Sequence, residues 1–161
     1  MYMKLYIKQA VFTFGDRFSI YDSEGNVKYT CEGEVFTLGK KLHVYDLIGD
    51  EVAYIEQQLF QFLPSFIVYV RGEEVAEIVK EFSFFTPKYY VNGLDWNVDG
   101  EFFAHDYSIV RNGEKIADFY KEWMTFGDCY SMDINDDYDE VLALSVCLAV
   151  DAVISASRNN N

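Results

Sequence analysis

A chain of 161 residues, half of them apolar and 18% aromatic, is long enough to bury one sizeable core without a disulfide or metal to hold it. Its formal charge of −14, with a sequence pI near 4.4, repels phosphate backbones and anionic headgroups; nucleic-acid binding is disfavoured, and cations or basic protein segments remain as partners. The three cysteines, Cys31, Cys129 and Cys147, have no metal-binding spacing, and MYMKLYIKQA at the N-terminus lacks the long apolar stretch of a secretory signal, so the reduced cytoplasm is the expected compartment.

From residue 5 to 134 the chain runs in short aromatic or β-branched stretches, separated by turn signals at the rhythm of a sandwich or barrel. FSIYD at 18–22, SEGN and VKYTCE read as one hairpin, and LHVYD at 42–46, LIGDE and VAYIEQ as a second. The pattern returns as FIVYV-RGEE-VAEIVKEF at 66–82 and YSIVR-NGEK-IADFYKEW at 107–123. In register, Gly49, Gly72 and Gly113 coincide, followed by Val52-Ala53, Val75-Ala76 and Ile116-Ala117. These glycines are predicted hairpin turns that restart a strand in fixed register, not phosphate cradles.

After Asp133 the pattern changes. VLALSVCLAV at 141–150 is apolar on every side of a helical wheel, and with AVISA it predicts a helix over about 137–156 that begins behind Asp136, Asp137, Asp139 and Glu140. The uninterrupted apolar run is short for a membrane span, Asp151 breaks it, and no basic cluster flanks it. Burial inside protein is the expectation: a mainly β sheet curls into a barrel around this helix.

FSIYDSEGNVKYTCEGE, LHVYDLIGDEVAYIEQ, VAEIVKEF, IADFYKEW and the terminal CYSMDINDDYDEVLALSVCLAVDAVI together resemble the LURP-one-related family of the Tubby C-terminal-like superfamily, which also contains the phospholipid scramblases. The resemblance implies a closed antiparallel barrel of about twelve strands enclosing a central hydrophobic C-terminal helix. The length suits one domain, expected over 1–157 with a disordered tail at 158–161. The resemblance also implies an association with phosphoinositides, lipid movement or plant defence. The Tubby-type lipid site needs clustered basic side chains, however, and the only adjacent basic pair here is Lys40-Lys41, so phosphoinositide binding is not carried over.

The resemblance further places Asp128 to Asp139, DCYSMDINDDYD, where scramblase relatives carry a calcium segment. As a twelve-residue loop it puts Asp136 ninth and Asp139 twelfth, but Tyr130, Met132 and Ile134 stand where oxygen ligands belong. A weak calcium site would use Asp133, Asp136, Asp137 and Asp139; otherwise these residues cap the helix and are solvated. Asp151 is expected to be a structural anchor or a carboxylate in a barrel-end pocket, since it shares a helical face with Glu140 and Ser155.

Catalytic inventory is thin. His43 and His105 read as surface or core residues, and His105 and Asp106, being adjacent in a strand, point to opposite faces. Cys147, Trp96 and Trp123 read as packing. The expected function is a non-enzymatic binding or scaffold domain for a protein partner, with no cofactor apart from the candidate calcium. The alternatives are a lipid- or membrane-associated module and a small-molecule binder or enzyme at a barrel-end pocket.

Overall fold

The computed structural model describes residues 1–8, 17–34, 38–81, 83, 87–101, 106–124 and 127–159. Twelve strands follow one another: β1 (Tyr2–Ile7), β2 (Arg17–Tyr21), β3 (Val27–Gly33), β4 (Lys41–Tyr45), β5 (Glu51–Gln57) and β6 (Ser65–Val70). The second half holds β7 (Glu73–Glu81), β8 (Lys88–Asn92), β9 (Asn97–Glu101), β10 (Asp106–Arg111), β11 (Glu114–Met124) and β12 (Gly127–Asn135). Each pairs antiparallel with its neighbours in sequence, and β1 closes the ring on β12 from Tyr2 opposite Asn135 to Ile7 opposite Tyr130. Closure leaves the sheet no free outer edge.

Alternation decides which side chains face inward. In β4, Leu42 and Val44 are buried while Lys41, His43 and Tyr45 are not; in β5 the inward residues are Ala53 and Ile55, and in β6 Phe66, Val68 and Val70.

The recurring hairpins fall into two kinds. Between β6 and β7, and between β10 and β11, two-residue turns place Arg71-Gly72 and Asn112-Gly113 at positive φ, the requirement of the tight turn that matches strand twist. Gly49, expected to be equivalent to Gly72 and Gly113, instead occupies a five-residue turn with the geometry of the one holding Gly25. There the Asp22 carboxylate accepts the N–H groups of Glu24 and Asn26, and Asp46 those of Ile48 and Asp50, all at 2.9–3.1 Å.

Both kinds share a β-bulge. Ile20, Val44, Val68 and Ile109 pair with Tyr29, Ala53, Ala76 and Ala117, and the next register slips by one, leaving Lys28, Val52, Val75 and Ile116 unopposed. The repeated apolar-Ala pair is therefore a bulge pair. Ile116 and Ala117 are both fully buried, and Val52 and Val75 pack against the core beside Ala53 and Ala76. Simple alternation would have turned one of each pair outward.

Inside the ring runs α1 (Glu140–Asn159), packed closest to β5, β6 and β7. It starts three residues later than the sequence suggests. The Tyr138 N–H donates to the Asn135 carbonyl and the Asp137 N–H to Asn135 Oδ1, so Asp136 and Asp137 belong to a turn. Asp139 is the cap: its Oδ1 accepts the Leu142 N–H at 2.9 Å. Neither Gly nor Pro stops the helix at 156, and it continues through Ser157, whose hydroxyl donates to the Val153 carbonyl. By length and composition α1 could cross a bilayer, yet the barrel encloses it, with Leu144, Val146, Leu148, Val150 and Val153 buried among the strands. The expected barrel around a central helix is the observed fold.

Candidate functional site

The outer face over β3 to β6 brings together chemistry that the interior does not. The outward residues of three successive strands form an aromatic row, because His43 is the register partner of Tyr54 and Tyr54 that of Tyr69. Ring centroids lie 4.8 Å apart for His43 and Tyr54 and 5.7 Å for Tyr54 and Tyr69; Tyr45 stacks on His43 at 6.1 Å. Cross-strand aromatic contacts of this kind stabilise the sheet and present π faces outward.

Carboxylates grip the middle of the row. Glu34 Oε1 lies 2.7 Å from His43 Nε2, and Glu51 Oε2 lies 2.7 Å from Nδ1. Partial burial opposes charge on the imidazole, but both carboxylates favour it and the His43 pKa is raised above its ordinary 6.5. Burial first, then Glu56, Glu34 and Glu51, push the Tyr54 phenol up to about 12. Tyr45 and Tyr69 shift the same way, again by burial first and neighbouring glutamates second. The tyrosines therefore stay protonated donors within an acidic field. Lys41 approaches Glu34 at 3.8 Å and Arg17 pairs with Glu32 at 2.8 Å along the border of this face.

This cluster escaped the sequence reading, which treated His43 as an ordinary surface or core residue. Its signal was the hairpin register: LHVYD-LIGDE-VAY folds His43 against Tyr54 and brings Glu51 back beside it.

The sequence-predicted candidates are dispersed. Asp128 to Asn135 is not a loop but most of β12, so alternate residues point to opposite sides of the barrel wall. Asp133 faces outward, 3.6 Å from Lys4, and accepts the Tyr120 hydroxyl at 3.0 Å. Asp136 and Asp137 lie in the turn, while Asp139 caps α1 and meets Arg71 at 3.2 Å. Among the described residues no group of three or more His, Cys, Asp or Glu side chains is placed to hold a metal ion.

Asp151 is fully buried and so does not open onto solvent at a barrel mouth. It sits near Tyr107, whose hydroxyl donates to the Cys147 carbonyl at 2.6 Å. Burial and then the Asp151 charge drive the Tyr107 phenol well above its ordinary pKa. Two surface clefts, about 370 Å³ between β8 and β9 and about 310 Å³ beside β2, are not lined by Asp151. All three cysteines are free and buried, and burial raises their pKa, which disfavours the thiolate at neutral pH. Trp96 is core, meeting Tyr138 edge-on at 6.0 Å; His105 lies outside the described residues, as does the Trp123 side chain.

A family model described as LURP-one-related matches residues 3–151. The chain belongs to the LURP-one-related family. Among its relatives is the Bacillus subtilis (strain 168) "Uncharacterized protein YxjI", 31% identical over 152 residues that cover 94% of each chain. The X-ray structure of the Arabidopsis thaliana protein AT5G01750 superposes with a TM-score of 0.67 over 94% of this chain and 91% of that one. At 16% identity this match bears on the fold alone, and it agrees with the twelve-stranded barrel and its enclosed helix.

Proposed function

We propose that this LURP-one-related barrel is a non-enzymatic binding domain whose outer face over β3 to β6 receives a lysine- or arginine-rich segment of a protein partner. The observation that carries the reading is the row His43, Tyr54 and Tyr69, set among Glu34, Glu51 and Glu56. Electron-rich ring faces and carboxylates on one surface suit a cation, which gains about 0.5–1 kcal/mol over an exposed ring. The chain's charge of −14 steers such a segment toward it. The interior supports the same reading, because α1 occupies the space in which a barrel of this kind would otherwise take a ligand.

Protonation tunes the face. With His43 charged, the trio Glu34, His43 and Glu51 carries one net negative charge; once His43 loses its proton it carries two. Affinity for a basic peptide should rise as pH climbs through the raised His43 pKa. The test is calorimetric titration of an oligo-arginine peptide into the full chain at low salt. Binding that weakens about two- to fivefold in Tyr54→Ala supports the proposal. No heat at low salt, or equal affinity in the variant, ends it.

A further inference from the structure

The two ends of the barrel carry different exposed apolar groups. At the end where β5 leads into β6, Phe60 is 97% exposed and Phe62 94%, and Leu38 of the neighbouring loop is 75% exposed. Single exposed apolar side chains are ordinary, but side chains this large gathered at one tip mark a surface that meets something apolar. The loop's base is fixed to its neighbours. The Gln57 N–H donates to the Lys40 carbonyl at 2.8 Å, the Lys40 N–H to Gln57 Oε1 at 3.1 Å, and the Gln58 N–H to the Ser65 carbonyl at 2.9 Å. The two loops abut so closely that a Cβ on Gly39 would come within 2.8 Å of Leu59 Cδ2. Above this base Phe60 adopts φ 61°, a left-handed conformation that bulky residues rarely take. The backbone thus displays the ring where the core could not receive it.

Charge and area select the occupant. In a chain with 27 acidic residues, positions 57–70 hold no charged side chain, and the abutting loop supplies Lys40. No carboxylate would have to follow the tip into a low-dielectric region. Two phenylalanines of about 150–250 Å² each fall well short of the roughly 800 Å² per partner of a stable protein interface. They are sufficient for interfacial insertion, in which aromatic side chains enter only about 5–10 Å while lysine stems lie along the headgroups. The net charge of −14 opposes an anionic surface, which leaves a zwitterionic one.

We infer that the loop at residues 58–62 is a bilayer-interface anchor: Phe60 and Phe62 enter the headgroup boundary of a zwitterionic membrane, with α1 remaining inside the barrel. This mode differs from recognition of anionic headgroups by a basic patch and is independent of the proposed peptide face, which lies on the barrel wall. The opposite end provides an internal comparison. Leu47 and Ile48 are 72% and 83% exposed there, but Asp46, Asp50 and Glu51 flank them and hold that turn in water.

The test is flotation of the full chain with phosphatidylcholine vesicles, with and without added phosphatidylserine, alongside light scattering for oligomeric state. Phe60→Ser with Phe62→Ser should lower the vesicle-bound fraction about tenfold or more with the thermal midpoint unchanged, since both side chains lie outside the core. Ile48→Ser should float like the parent, and phosphatidylserine should not increase binding. Three results would each overturn the inference: no flotation of the parent on phosphatidylcholine, equal flotation of the double variant, or a dimer that the double variant dissolves without any vesicle binding. Oligo-arginine binding by the double variant separates failure here from failure of the peptide face.

Discussion

Asp139 alone among the four terminal aspartates combines a cap with an ion pair, and this makes it separable from its neighbours. Asp139→Ala loses the bond to the Leu142 N–H and should destabilise the fold by about 1 kcal/mol in urea denaturation. The exposed Arg71 pair adds little to that. Asp136→Ala and Asp137→Ala should each stay within about 0.5 kcal/mol of the parent. The sequence displayed the acidic cluster but not its division of labour, because the cap is chosen by where the Asn135 turn ends. His43 was hidden for a related reason: Glu34 and Glu51 reach it only through pairing across two hairpins. Its raised pKa fixes the sign of a pH effect. A group held more basic in the folded state stabilises fully below its unfolded value of 6.5, and that contribution fades as pH rises through the folded value. The stability difference between the parent and His43→Gln should therefore be largest at acidic pH and shrink toward pH 9; a difference that grows with pH would refute the two-glutamate clamp.

At the level of single elements, the repeated apolar-Ala pair was legible as a register marker while its geometry was not. A strand of period two sends adjacent residues to opposite faces, and only the unopposed Val52, Val75 and Ile116 reveal the bulge that brings both inward. The consequence is energetic. Ile116→Ala removes a fully buried side chain and should cost about 2–5 kcal/mol. Val52→Ala, at the equivalent bulge but only partly buried, should cost less than half as much when both are measured by denaturant titration at one pH. Equal costs would mean that Ile116 points outward as plain alternation requires. The helix illustrates the same division: its existence and burial were plain from an all-round apolar wheel, whereas its boundaries moved to 140–159 because turn hydrogen bonds, not composition, set the first residue.

For the whole molecule, two forces could hold the ring: the closed ladder of strand pairs, or the apolar filling inside it. They can be separated because β12 ends at Asn135, so a chain cut after Asp136 keeps every strand, including the closure of β1 on β12, and loses only α1. The inward faces of Leu5, Ile20, Ile55, Val68, Ile78 and Ile109 would then line a void. On the helix side, Leu144, Val146, Leu148, Val150, Val153 and Ile154 each contribute about 1.5–3 kcal/mol by burial. Together they match or exceed the net stability of about 5–15 kcal/mol typical of a domain. Hydrogen bonds exchanged with water contribute far less per bond, about 0.5–1.5 kcal/mol net, and the ladder must also offset the ordering of its strands. The truncated chain should therefore aggregate or elute as large species that bind a hydrophobic dye, while the parent elutes as a compact particle and melts in one transition. A truncated chain that stayed monomeric and melted cooperatively would show that strand pairing suffices, and that the helix occupies the barrel without holding it together.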